Sequence, residues 1–242
     1  MYMTAFLLPA LRTQVGKGAG EEVSNLETVT AIFEDLSEIT ATTWYILCGL
    51  LTLSVIGLAA KSKARVNVQA LVYAGLLISI AFVLSYIRLY RWPQGGSITP
   101  ASMLPLFVYA YIFGPRAGIT AGAAYGLLQL IQDPYILHPV QVLLDYIIAF
   151  AALGLAGFAR HNLSLGILLG GFGRFFSSFL SGVIFFASYA PEGMSPIVYS
   201  LLVNGLIIGT ETLVCLAVSL VPQVRHMLAT VKSGMTAKGY QG

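Results

Sequence analysis

Three ionisable side chains interrupt otherwise apolar runs of this chain: Asp145, Arg174 and Glu211. A charge inside a lipid-spanning segment is costly, so it faces protein or water and takes a partner. Each of the three therefore marks a structural pair or a site. Arg174 is 14 residues from the end of its run (163–188) and Glu211 is 14 from the matching end of its own (197–221), which puts both roughly 21 Å down. The two are expected to pair as a structural ion bridge; a proton relay is the functional alternative. Asp145 has no comparable basic partner. It lies six residues down the run 139–159, roughly 9 Å deep, level with Asn204 and Gly182 on the two following runs. Ser178, Gly182 and Phe186 share one i, i+4, i+8 face. Tyr146 adjoins Asp145, and Tyr135 and Tyr199 fall just above.

An acid, an amide, a glycine and several rings at one level describe a pocket. A cation gains from aromatic faces and from a buried carboxylate together. Asn donates and accepts at once, which suits the edge of a heteroaromatic ring. The chemistry expected is non-covalent capture of a small planar organic cation. The plainer reading is that Asp145 and Asn204 bond neighbouring helices while the tyrosines sit at the membrane interface. For an enzyme, Ser178 and His138 are the one tempting pair, and their depths differ by about ten residues of helix.

The elements that must position these residues follow from composition. Of 242 residues, 57% are hydrophobic and 10% charged, with a mean hydropathy of +0.81. A soluble chain carries roughly 25% charged residues, so a cytosolic enzyme, a disordered chain and a nucleic-acid binder are excluded despite the net charge of +3. Six of the ten acids fall between Glu21 and Glu38, leaving the remainder poorer still. The two cysteines, Cys48 and Cys215, both in apolar runs, give no metal spacing and no disulfide framework.

About 20 apolar residues cross a ~30 Å hydrocarbon core. Seven runs are read as spans: 43–60, 67–89, 99–114, 117–132, 139–159, 163–188 and 197–221. The third and fourth are short and meet at Gly114-Pro115-Arg116 as a tight helical hairpin. Residues 1–42 form an acidic, mobile or amphipathic lead-in, and 222–242 a tail. Gly118, Gly122 and Gly126 on the fourth span have the spacing of plain close helix packing. Lys61, Lys63, Arg65, Arg116, Arg160, Arg225, Lys232 and Lys238 follow alternate spans, whereas the other loops carry only Arg88 and Arg91 with Asp133 and Glu192. By the positive-inside rule the N-terminus is outside and the C-terminus cytoplasmic. Three Gly- and Pro-rich outer loops, 91–97, 133–139 and 189–196, then cover the pocket, with Trp92 as an aromatic wall or lid.

The ordered set of segments resembles the thiamin-specific S-components of energy-coupling factor transporters, the ThiT family. The matching pieces are Pro93 to Ile98, Met103-Leu104-Pro105, Gly114 to Gly118, Pro134 to Leu137, Leu144-Asp145-Tyr146, Ser181 to Phe186, Tyr189 to Gly193 and Tyr199 to Gly205. The resemblance implies an all-α, six-helix membrane bundle over 67–221, preceded here by an extra helix, in the cell membrane of a prokaryote. It implies thiamin bound near the outer face by Asp145, Tyr146, Tyr135, Gly182, Phe186, Tyr199 and Asn204, with Trp92 in the first loop and Ser178 where the family has His. Family members carry Glu at Asp145 and Trp at Phe186, so a related pyrimidine or thiazole precursor stays open as guest. Ala70 and Ala74 match the small-residue motif that docks on the coupling subunit, which in turn works with two ATPase subunits. The chain has no Gly-xxxx-Gly-Lys-Ser/Thr phosphate loop. The resemblance implies neither an enzyme nor a cofactor.

Overall fold

The structure is a computed structural model that describes residues 68–93 and 95–237, all within the compact unit Val66–Gly242. The lead-in, the span expected at 43–60 and the Lys61–Arg65 cluster lie outside the described residues. Seven helices follow in order: α1 (Val68–Tyr86), α2 (Leu104–Phe113), α3 (Pro115–Gln132), α4 (Pro139–Phe158), α5 (Leu163–Phe185), α6 (Pro196–Leu220) and α7 (Pro222–Ala237). Helices α1, α4, α5 and α6 are long and apolar enough to cross a membrane. The fold is thus an all-α membrane bundle, and its first six helices stand where six of the spans were expected.

Local chemistry sets the boundaries. Proline occupies the first turn of α2, α3, α4 and α6, where its missing N–H removes no helix bond. Asn162 and Ser195 cap α5 and α6 by accepting from the N–H groups of Leu165 and Val198, each at 3.3 Å. The α2–α3 break falls at Gly114, whose φ of 90° suits a residue without Cβ.

The glycines of α3 let it press on α4. A Cβ at Gly122 would come 2.2 Å from the Phe150 carbonyl oxygen, and one at Gly126 2.2 Å from that of Tyr146. The packing role expected for this stripe is what the structure shows. Facing it, α4 departs from regular geometry: Leu143–Ile148 forms a π turn and Ala152–Phe158 a 3₁₀ stretch. Met103, Leu106, Phe107, Ala110, Tyr125, Leu153, Ile167 and Cys215 make the buried core.

Two features differ from the sequence reading. The first loop contains a short antiparallel hairpin, β1 (Tyr90–Arg91) with β2 (Ser97–Ile98), because turn-forming glycines close it. The tail forms the helix α7, whose Lys232 donates to the Arg160 carbonyl and lies 3.8 Å from the Tyr111 ring centroid. Ala70 and Ala74 pack against the core of the bundle, and the Tyr109 hydroxyl donates to the Ala70 carbonyl at 3.2 Å. The outward face of α1 carries Leu71, Val72, Leu76 and Val83, with open space around Gly75.

Candidate functional site

At the hairpin end of the bundle a cavity of about 160 Å³ opens between α4, α5, α6 and the hairpin. A single water needs roughly 15 Å³, so the cavity has room for a small molecule. The nine residues expected at the site, Trp92, Tyr135, Asp145, Tyr146, Ser178, Gly182, Phe186, Tyr199 and Asn204, all line it. Arg174 and Glu211 line it too.

The π turn of α4 sets the centre. It carries Asp145 and Tyr146 together, and such one-turn insertions recur at functional sites. The Leu144 carbonyl in this turn accepts from the Ser177 hydroxyl of α5 at 2.7 Å. Asp145 Oδ2 accepts from Gln141 Nε2 at 2.7 Å and from the Ser181 hydroxyl at 2.8 Å. These donors are neutral, and among the described residues Asp145 makes no ion pair. Gln141 precedes Asp145 by one turn on the same face, a spacing visible in sequence once the helix is placed.

The facing wall is the α5–α6 contact. Gly182 must be glycine, because a Cβ there would lie 2.2 Å from Ser200 Oγ and 3.0 Å from Asn204 Nδ2. Asn204 Nδ2 donates to the carbonyls of Ser178 (3.2 Å) and Ser200 (3.1 Å). The donor half of this amide therefore bonds the helices together, in line with the plainer reading.

Aromatic rings close the upper part. Tyr135 stacks on Phe186 at 5.7 Å and 20°, and Phe186 meets Tyr189 at 5.9 Å. Tyr135 donates to the Tyr189 hydroxyl at 3.0 Å. Desolvation, with this bond and the neighbouring phenols, pushes the Tyr135 hydroxyl up to about 12, so it is neutral at any physiological pH. Trp92 reaches in from the hairpin, and its buried indole N–H has no hydrogen-bond partner among the described residues.

At the floor, Arg174 Nη1 lies 3.4 Å from Glu211 Oε2, and the guanidinium carbon is 4.3 Å from the Phe150 ring centroid. The Glu211 side chain is 1% exposed and accepts from the hydroxyls of Thr99 and Ser102, the latter at 2.7 Å. The two charges thus meet as depth counting placed them. The hydroxyl partners escaped sequence reading because they precede α2 in an irregular segment. His138 stands apart from any reaction chemistry: its Nδ1 accepts from Val140 N–H at 3.2 Å, and its ring stacks on Phe185 at 4.9 Å.

At the rim, Asp133 joins two cations, with Arg88 at 3.0 Å and Arg91 at 2.7 Å. The arrangement can hold an aromatic cation: a carboxylate below, stacked rings above and hydroxyls between.

Residues 71–230 match the family described as thiamine transporter protein (Thia_YuaJ). The thiamine transporter ThiT of Bacillus subtilis is 35% identical over 140 residues, covering 51% of this chain and 72% of that protein. The thiamine transporter ThiT of Lacticaseibacillus paracasei is 35% identical over 123 residues, covering 43% of this chain and 61% of that one. A solved structure of ThiT from Listeria monocytogenes superposes with a TM-score of 0.60 at 26% identity, over 66% of this chain and 97% of the other. The chain belongs to the thiamine transporter protein family, membrane transporters rather than enzymes.

Proposed function

We propose that this chain is the substrate-capture subunit of an energy-coupling factor importer and that it binds thiamin in the cavity beneath the hairpin. The observation that carries this reading is Asp145, a carboxylate whose hydrogen-bond donors among the described residues are neutral, in an aromatic-walled cavity. Thiamin pairs a cationic thiazolium with an aminopyrimidine, so it meets both the charge and the stacking surfaces. Asp145, Tyr146, Tyr135, Ser178, Gly182, Phe186, Tyr199, Asn204 and Trp92 are its proposed contacts, with Asn204 chiefly shaping the wall. Arg174 and Glu211 hold the floor as a structural pair.

The cell membrane of a prokaryote is the proposed location, with the cavity facing outward. The distribution of basic residues supports that orientation. Arg160 sits against Gly114 at the α2–α3 turn and under Lys232 of α7, so three basic segments cluster away from the hairpin, as a cytoplasmic face requires. Capture outside is followed by closure of the hairpin and release through a coupling subunit driven by two ATPase subunits.

Uptake of labelled thiamin into cells lacking their own system tests this. Expression of the chain with coupling and ATPase subunits should restore uptake, and an inactive ATPase should abolish it. Uptake that needs no ATPase and follows an imposed pH gradient would instead establish a proton-coupled carrier.

A further inference from the structure

We infer that the end of the bundle opposite the cavity is a seat for acidic phospholipids, with α7 lying in the headgroup layer and the exposed Arg116 and Arg225 engaging lipid phosphates. The seat goes beyond the capture reading and does not depend on which guest the cavity takes.

Helix α7 turns across the bundle instead of continuing α6. One residue, Val221, separates the two helices, and Pro222 starts the second. Lys232 lies ten residues after Pro222, roughly 15 Å along the helix. A straight continuation would carry it that far beyond the end of α6. Instead its ammonium donates to the Arg160 carbonyl, in the α4–α5 turn, and stands 3.8 Å from the ring centroid of Tyr111, in the last turn of α2. Leu228 is buried, with Val224 and Val231 half-buried on the same i, i+4, i+7 face. The helix thus presses an apolar stripe on the bundle and leaves Arg225, His226, Thr230 and Ser233 exposed.

Charge at this end has one sign. Among the described residues its ionised side chains are Arg116, Arg160, Arg225 and Lys232, whereas the acids Asp133, Asp145, Glu192 and Glu211 line the cavity or stand at the hairpin end. The Arg160 guanidinium fills the space beside Gly114, two residues before Arg116. Arg225 precedes Lys232 by two turns on one face of α7, about 10 Å. The four cations form one connected strip. Exposed apolar side chains border it: Phe158 at the end of α4, Leu220 and Val221 at the end of α6, and Met227 on α7. An acidic protein surface would match the charge alone, whereas a bilayer interface matches the charge and the apolar border together. With 25 residues, α6 is about 37 Å long, more than the ~30 Å hydrocarbon core, so its end and α7 reach the headgroups. In the orientation proposed above that is the cytoplasmic leaflet, whose surface is negative. Arginine suits a phosphate because its planar fork donates two parallel hydrogen bonds.

Thermal unfolding of the purified full-length chain in a neutral detergent tests the seat. Added phosphatidylglycerol should raise Tm by about 4 °C over the same amount of phosphatidylcholine. The double variant Arg116→Gln, Arg225→Gln should lose that increment. Its Tm in phosphatidylcholine should stay within about 1 °C of the unaltered chain, because both side chains are exposed. Arg116→Lys with Arg225→Lys should keep most of the increment, since lysine keeps the charge. Salt at about 1 M, where the screening length is about 3 Å, should reduce it. Glycerol 3-phosphate, the same phosphate chemistry without acyl chains, should give none. An unaltered chain that melts at one temperature in both lipids overturns the inference and leaves an acidic protein surface as the occupant. An increment kept by the double glutamine variant, or reproduced by glycerol 3-phosphate, overturns it equally. Should the double variant not fold, the single variants decide: each should lose part of the increment, and an unchanged increment in both refutes the seat.

Discussion

Replacing Arg174 with Met removes the cation paired with Glu211 and leaves a carboxylate whose side chain is 1% exposed. Removing one partner of a buried pair destabilises by about 3–5 kcal/mol, because the remaining charge is uncompensated. Here the hydroxyls of Thr99 and Ser102 still donate to Glu211, which places the loss at the lower end, about 3 kcal/mol. For a chain of this size that lowers Tm by roughly 6–12 °C. Glu211→Gln strands Arg174, 14% exposed and packed on Phe150, with a loss of about the same size. The double variant strands neither charge. Its loss should stay near that of one single variant, giving a coupling of at least about 1.5 kcal/mol against the sum. Thermal unfolding of the four proteins in one detergent, with aggregation followed by size exclusion, measures this directly. A double variant whose loss equals the sum of the singles within about 0.5 kcal/mol would refute the pairing.

Two further perturbations address the walls and the rim. Gly182→Ala drives a Cβ into Ser200 Oγ at 2.2 Å, so thiamin binding should weaken at least about tenfold, roughly 1.4 kcal/mol. Gly205→Ala, whose nearest neighbour is the Phe175 ring at 4.0 Å, should leave binding unchanged; equal effects of the two would remove the close α5–α6 contact as the cause. Burial lowers the His138 pKa below its ordinary 6.5, and the neutral ring accepts the Val140 N–H that begins α4. The folded chain then binds fewer protons than the unfolded one, so this stabilisation is complete above about pH 6.5 and declines as pH falls. Melting temperatures between about pH 7.5 and 5 should fall less steeply in His138→Asn, which still caps the helix without titrating. A fall as steep as in the unaltered chain would contradict the assignment.

Much of this was legible because lipid imposes simple rules. Run lengths located six described helices within a few residues, since few charges interrupt them. Depth counting along straight helices brought Arg174 to Glu211, because a constant rise converts sequence into position. Where the backbone departs from that rise, sequence reasoning stopped. The π turn that carries Asp145 and Tyr146 lies where α3 presses on α4 at Gly126, a contact between helices that no local pattern encodes. The hairpin, the Thr99 and Ser102 hydroxyls under Glu211 and the bridging of Arg88 and Arg91 by Asp133 all depend on irregular loops.

Calorimetric titration of the purified chain with thiamin, alone and as Asp145→Asn, tests the central claim most directly. The unaltered chain should bind one thiamin with Kd below about 1 μM. Asp145→Asn keeps an oxygen for Gln141 and Ser181 while losing the charge, and should bind at least about tenfold more weakly. No binding of thiamin by the unaltered chain, or equal affinity in the two proteins, would contradict the assignment of Asp145 as the charge that receives the cation.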